Sequence, residues 1–213
     1  MVRKHNYCMK LRNAALVIGV GVATAAGLSL LKVNKDLLVG STAVVVGAGL
    51  MIALRDSKDL NKKIRNYEYF FNRAQDKFEV AKYEEAILDY NKALELSPTE
   101  ISLVYSMRGN AKRNLGDFDG AISDQNKALD FDPLYADGYF NRGSAKYKMG
   151  DFAGAIEDYT QVIKINPKDS DAFFNRANIK KEIGDMRGAC EDWKKGAELG
   201  DEDAVKSVQE HCE

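Results

Sequence analysis

The sequence predicts an all-α chain in which an apolar helical hairpin precedes an array of four helix-turn-helix units and a closing helix. Three observations carry that expectation: a frame of residues that returns every 34 or 35 positions, a scarcity of helix breakers, and two long uncharged apolar runs near the start. With 45 % hydrophobic and 30 % charged residues over 213 positions, the composition is that of a globular domain with an accessory segment. Three prolines and seventeen glycines leave long stretches in which Ala, Leu, Lys, Asp and Glu favour helix over strand. A formal net charge of −1 offers no broad positive field, so no nucleic-acid partner is expected.

Residues 1–13 form a basic tail with Arg3, Lys4, Lys10 and Arg12. The runs 14–31 (AALVIGVGVATAAGLSLL) and 37–54 (LLVGSTAVVVGAGLMIAL) follow. Each would span about 27 Å as a helix, close to the roughly 30 Å of a bilayer's hydrocarbon layer. Only Lys32 to Asp36 separates them, so the expectation over 14–54 is an antiparallel transmembrane hairpin. Ala15, Gly19, Ala23 and Gly27 recur every fourth position, as do Ala43 and Gly47, giving a small-residue stripe along which helices associate in lipid. Arg55, Lys58, Lys62, Lys63 and Arg65 follow the hairpin, whereas its turn holds only Lys32 and Lys35. That asymmetry puts both ends on the cytoplasmic side of a multi-pass membrane protein of the bacterial inner-membrane kind. Two competing readings are weaker. Ala23-Thr24-Ala25 resembles a signal-cleavage site, but a second apolar run follows at once. Val44 to Gly49 resembles a dinucleotide-binding strand and turn, but Ile52 stands where a third glycine would.

Residues 55–66 are a charged tether, helical or flexible, before the repeats begin at 67. Ala86, Ala121, Ala155 and Ala189 are 35, 34 and 34 residues apart. Thirteen residues before each stands an arginine: Phe70-x2-Arg73-Ala74, Tyr105-x2-Arg108-Gly109, Tyr139-x2-Arg142-Gly143 and Phe173-x2-Arg176-Ala177. Four residues after each alanine comes Tyr90, Gln125, Tyr159 or Trp193, and Pro98, Pro133 and Pro167 close the first three units. This frame resembles the tetratricopeptide repeat (TPR), an aromatic, a small residue, Ala-x3-aromatic and a proline over 34 residues. The resemblance covers 67–199, and with the apolar hairpin it resembles bacterial membrane-anchored members of that family. It implies helical hairpins stacked in a right-handed superhelix, each burying its apolar face only against its neighbours. Small residues at Gly109, Gly143, Ala121 and Ala155 permit close helix crossings, and Leu115-Gly116-Asp117 and Met149-Gly150-Asp151 supply turns. Residues 200–213, with Ala204, Val205 and Val208 on a short amphipathic stretch, resemble the capping helix of such arrays.

Two departures from the family pattern recur together. Arg73, Arg108, Arg142 and Arg176 replace an apolar residue, and Lys77, Lys112, Lys146 and Lys180 replace a tyrosine. Asp89, Asp124, Asp158 and Asp192 lie sixteen residues beyond each arginine, on the facing helix. A ladder of structural ion pairs is the favoured reading, with a ligand-binding row as the alternative, because four unpaired buried charges would be costly.

By resemblance the first helix of each hairpin lines a concave groove. The candidate peptide-binding residues are Phe71, Asn72, Asn110, Phe140, Asn141, Tyr147, Phe174, Asn175 and Asn178, with Phe78 and Met107 beside them. Asparagine both donates to and accepts from a peptide unit, so a row of them suits an extended chain. Local hydrogen bonds within the array are the competing reading. The positions at which chaperone-binding relatives grip a terminal carboxylate carry Phe71, Gln75, Met107, Asp137 and Asn141, so an acidic chaperone tail is not expected.

No catalytic residue, cofactor, metal site or small-molecule substrate is expected. His5 and His211 lie outside the repeats, Glu84 and Glu85 read as solvated charge, and no Gly-rich phosphate loop ends in Lys-Ser or Lys-Thr. Cys8, Cys190 and Cys212 lack disulfide-scaffold or zinc spacing, which fits a reducing compartment with Cys190 as a buried thiol; a Cys190–Cys212 bridge is the alternative. The leading functional expectation is a membrane-anchored scaffold that recruits a peptide or protein partner through the groove. The alternative is a structural subunit that assembles through its Gly-rich hairpin.

Overall fold

The computed structural model describes residues 48–96 and 100–212. Helices α1 (Ala48–Glu79) and α2 (Tyr83–Glu95) make the first hairpin, α3 (Ile101–Asn114) and α4 (Phe118–Phe131) the second. The third is α5 (Ala136–Lys148) and α6 (Phe152–Ile165), the fourth α7 (Ser170–Glu182) and α8 (Met186–Glu198), and α9 (Glu202–His211) closes the array. From α2 onward each helix packs on its neighbours in sequence, and α3 also touches α5. Residues 55–66, the charged tether, lie within α1. The expected membrane hairpin lies outside the described residues except for positions 48–54, which begin α1. Among the described residues no helix is long and apolar enough to cross a membrane. Pro98 also lies outside them.

The turn inside the second, third and fourth hairpins follows from two residue types. Gly116, Gly150 and Gly184 take φ of +83°, +80° and +86°, a region closed to most side chains. The N–H of the next residue, Asp117, Asp151 or Asp185, then reaches back to the carbonyl of Lys112, Lys146 or Lys180 at 3.0, 2.9 and 2.8 Å, the bond of a Schellman turn. Each of these aspartates also caps the following helix, accepting from the N–H of Gly120, Gly154 or Gly188 at 2.9 Å. The first hairpin keeps the backbone bond, Lys82 N–H to Lys77 O at 2.9 Å, but has neither residue type: Ala81 sits at φ +59° where the others have glycine, and Lys82 makes no side-chain cap.

Close crossings set the hairpin interior. A Cβ on Gly143 would lie 3.2 Å from Asp158 Cβ and 3.4 Å from Ala155 O, and one on Gly109 would meet Ala121 O at 3.2 Å. Ala74, Ala86, Ala155, Ala177 and Ala189 are fully buried at the equivalent places. Tyr90, Tyr159 and Trp193 fill the space beside them, and in the second hairpin Gln125 does so with Nε2 donating to Ser106 O at 3.1 Å.

Ala204 is fully buried and Val208 packs against the last hairpin, but Val205 faces solvent, being 40 % exposed. Cys190 is not a buried free thiol: it is half-buried and disulfide-bonded to Cys212, across 5.6 Å between Cα atoms. His211, the residue before Cys212, lies over the fully buried Trp193, and that packing brings the two cysteines together.

Left-handed backbone costs an L-residue roughly 1–2 kcal/mol, a penalty glycine escapes. Ala81→Gly is therefore expected to stabilise the protein by about 1 kcal/mol and Gly150→Ala to destabilise it by a similar amount. Urea unfolding followed by circular dichroism checks both signs.

Candidate functional site

One charged constellation repeats in every hairpin. Asp89, Asp124, Asp158 and Asp192 project from the second helix into the interior and are only 2, 1, 1 and 5 % exposed. From the first helix Arg73, Arg108, Arg142 and Arg176 meet them with a two-pronged fork: Nε donates to Oδ2 at 2.7, 2.8, 2.9 and 2.8 Å, and Nη2 to Oδ1 at 2.6, 2.6, 2.6 and 2.7 Å. Lys77, Lys112, Lys146 and Lys180, one turn on, add Nζ at 3.0, 2.9, 2.9 and 2.8 Å from the same Oδ2. Each guanidinium also lies 5.2 to 5.7 Å from the ring three residues earlier, Phe70, Tyr105, Tyr139 or Phe173. The ladder is thus structural, each carboxylate being filled by its own hairpin.

The third arginine nitrogen does something the sequence reading missed. Nη1 of Arg108, Arg142 and Arg176 donates to Asn91 Oδ1, Asn126 Oδ1 and Thr160 Oγ1 at 2.6, 2.6 and 2.9 Å, on the second helix of the preceding hairpin. No hairpin precedes that of Arg73 among the described residues, and its Nη1 turns to Tyr69 OH at 2.9 Å. One side chain therefore closes its own hairpin and fastens it to the previous one. The signal was present: positions 91, 126 and 160 keep the 35- and 34-residue phase and carry polar residues.

The bond from Arg73, reinforced by Lys77, holds the Asp89 carboxyl below its ordinary range against burial, which acts the other way. On the partner side, the hydrogen bond to Asp158 raises Arg142 against the opposing effect of burial.

The expected groove residues all lie on first helices, but many are engaged internally. Phe71 stacks 5.7 Å from Tyr67 and tilts over Tyr90 at 6.1 Å, while Phe78 meets Tyr83 edge-on at 5.3 Å. Met107 packs against the first hairpin's core and Phe174 against the last. Phe140 meets Tyr159 edge-on at 5.3 Å, and Tyr147 OH donates to Glu182 Oε2 of the next hairpin at 2.9 Å. Asn178 Oδ1 accepts from Trp193 Nε1 at 3.1 Å, which makes it a core-orienting residue.

Asn141 Nδ2 donates to Ser106 Oγ at 3.3 Å and Asn175 Nδ2 to Asp171 O at 2.8 Å, yet among the described residues neither amide oxygen accepts a hydrogen bond. Asn110 Oδ1 is likewise without a donor, and Asn72 is exposed. Arg113, Ser106, Ser144 and Glu182 were not foreseen in this surface; Arg113 Nη1 donates to Ser144 Oγ at 3.1 Å, tying α3 to α5. Among the described residues no group of three or more His, Cys, Asp or Glu is placed to hold a metal.

Residues 67–100 and 136–169 match models of the tetratricopeptide repeat, and residues 109–150 a model of the TPR repeat. Within those spans the hairpins are tetratricopeptide repeats. Among solved structures, a crystal structure of MamA superposes with a TM-score of 0.61 at 25 % identity, over 72 % of this chain and 90 % of that one. The first TPR of Spaghetti (RPAP3), bound to the HSP90 peptide SRMEEVD, gives 0.53 at 25 % identity over 56 % and 94 %. The Arabidopsis OM64 TPR domain gives 0.54 at 20 % identity over 56 % and 98 %, a likeness of fold. Comparison with curated proteins finds no match. The TPR fold is typically a non-enzymatic module for protein–protein interaction, and the repeats here carry it.

Breaking one partner of a buried ion pair costs about 3–5 kcal/mol, while apolar replacement of the pair is often neutral. Arg142→Leu is expected to lose stability on that scale, and adding Asp158→Tyr to recover much of it, as read by thermal unfolding. Asp89 gives a pH signature. Because its carboxyl is depressed in the folded state, its contribution is present above the ordinary aspartate range and lost as pH falls through the depressed value. The stability gap between the parent and Asp89→Asn is therefore expected to narrow on acidification, which unfolding measured across a pH series checks.

Proposed function

We propose that this chain is a membrane-anchored TPR module whose groove, formed by the first helices of its hairpins, holds an extended segment of a partner protein. The observation that carries the reading is the pair of asparagines at the groove's centre. Asn141 and Asn175 each use their amide nitrogen within the array and keep an amide oxygen available, beside the half-buried rings of Phe140 and Phe174. Such oxygens accept backbone N–H groups of any sequence, and the rings supply apolar contact, so selectivity for sequence is low. The peptide-bound RPAP3 domain supports the use of this fold for peptides. Asn178 and Phe71 belong to the core in this reading and contribute shape alone.

The anchor rests on the sequence: two uncharged runs, 14–31 and 37–54, each long enough to span. The basic flanks favour repeats on the cytoplasmic side. The Cys190–Cys212 disulfide is the form these residues take in oxidising surroundings, so the two observations set a definite question of topology. The small-residue stripe of the first run favours a second reading, assembly with other membrane proteins through the hairpin.

A photo-crosslinking residue at Phe140 of the full-length chain, irradiated in native membranes, is expected to capture a partner, and one at the exposed Leu88 on α2 is not. An Asn141→Ala, Asn175→Ala variant with intact helicity is expected to lose at least tenfold in capture, in line with about 2 kcal/mol at a binding hot spot. Equal capture from both positions, or none from either while partners still co-purify, assigns binding to the hairpin. Protease added to sealed, right-side-out cells is expected to leave the repeats intact, and their digestion would put them on the other side.

A further inference from the structure

The far end of the array carries chemistry that peptide binding does not use. Cys190 and Cys212 are half-buried and line an open cavity with Arg187, Lys194 and His211. Arg187, paired with Glu191 at 3.3 Å, and Lys194, which makes no ion pair among the described residues, stand beside the two sulfurs as cations. Positive surroundings favour thiolate, the form that both attacks and leaves in disulfide exchange.

The bond also sits where opening it has a structural consequence. The near end of α9 is fixed without it: Ala204 is fully buried against Gly196, where an added Cβ would lie 3.1 Å from the Ala204 Cβ. The far end is tied down by the disulfide. Next to Cys212, His211 lies with Nε2 2.9 Å from Lys181 Nζ and its ring 5.5 Å from that of Trp193. Trp193 in turn donates to Asn178 Oδ1 at 3.1 Å, on the first helix of the fourth hairpin beside Asn175. A continuous series of contacts therefore runs from the sulfur pair through His211 and Trp193 to the proposed groove.

We propose that Cys190–Cys212 is a thiol–disulfide exchange site whose redox state controls the fourth-repeat end of the groove; the control of binding rests on the groove reading, the exchange site does not. The reacting partner is a dithiol. One of its thiolates attacks one sulfur of the pair, the S–S bond breaks, and the other cysteine leaves as thiolate and takes a proton. The second thiol of the reductant then resolves the mixed disulfide. The reductant loses two electrons and two protons to become a disulfide, and Cys190 and Cys212 become thiols. The end of α9 is then untied, His211 leaves Trp193, and Asn178 loses its fixed partner. An oxidant such as a small disulfide reverses the step. On the cytoplasmic side the thiol form is the resting one, and oxidation closes the latch.

The test uses the full-length chain in detergent micelles, oxidised with glutathione disulfide and then reduced with dithiothreitol. Maleimide mass-tagging is expected to find one thiol, Cys8, in the oxidised form and three after reduction. Trp193 is the chain's single tryptophan, so its emission reports the cap directly; it is expected to shift to the red on reduction and to return on reoxidation. A Cys190→Ser, Cys212→Ser variant should show the reduced spectrum and ignore both reagents, with Cys8→Ala responding as the parent does. Three tags after oxidation, or a Trp193 emission unmoved by reduction of the parent, overturns the exchange site. Crosslinking from Phe174 in native membranes reads the groove: capture differing at least twofold between redox states supports the control, and equal capture overturns it. No capture in either state, with tagging and emission responding, removes the groove reading and its control together and leaves the exchange site standing.

Discussion

The aspartate at the centre of each hairpin is buried almost completely, and its charge is tolerable only because an arginine fork and a lysine meet its two oxygens. That requirement places three side chains on two helices and fixes the crossing of those helices. It also explains the residues around it. Small residues bring the helices close enough for the fork to reach, and the Schellman turn aims the second helix back along the first. The lysine belongs to both devices, since Lys112 and Lys146 supply the turn's accepting carbonyl as well as a cation for the carboxylate.

A fork with three donating nitrogens has one left over after a bidentate carboxylate contact, and a buried donor needs an acceptor. Asn91, Asn126 and Thr160 provide it from the preceding hairpin. Leucine at the arginine position would pack the hairpin but would form no such directed bond. The charged ladder thus joins cohesion within a repeat to cohesion between repeats, which in an array of otherwise local contacts decides how far a disturbance spreads.

Much of this was legible because repetition turns a single sequence into four aligned ones. The sixteen-residue step from arginine to aspartate is the span of a helix, a turn and the return, so the pairing could be read from spacing. Contacts that occur once could not. The Cys190–Cys212 bond depends on where α9 folds back, and spacing of 22 residues carries no sign of it. Asn178 has the composition of a groove residue but faces Trp193, and Phe71 stacks on Tyr67, because one position on a helix separates open surface from core. Asn141 and Asn175, central to the proposed groove, keep amide oxygens that the described residues of the array do not use.

From the second hairpin on, one buried carboxylate holds both its own helix pair and the seam to the previous hairpin. Native-state hydrogen exchange on an Asp158→Asn variant tests it most directly, because it reports protection helix by helix. In that variant α5 and α6 are expected to lose protection together with α4, which Arg142 fastens through Asn126, while α8 and α9 keep theirs. Loss confined to α5 and α6, or no loss at all, would contradict it.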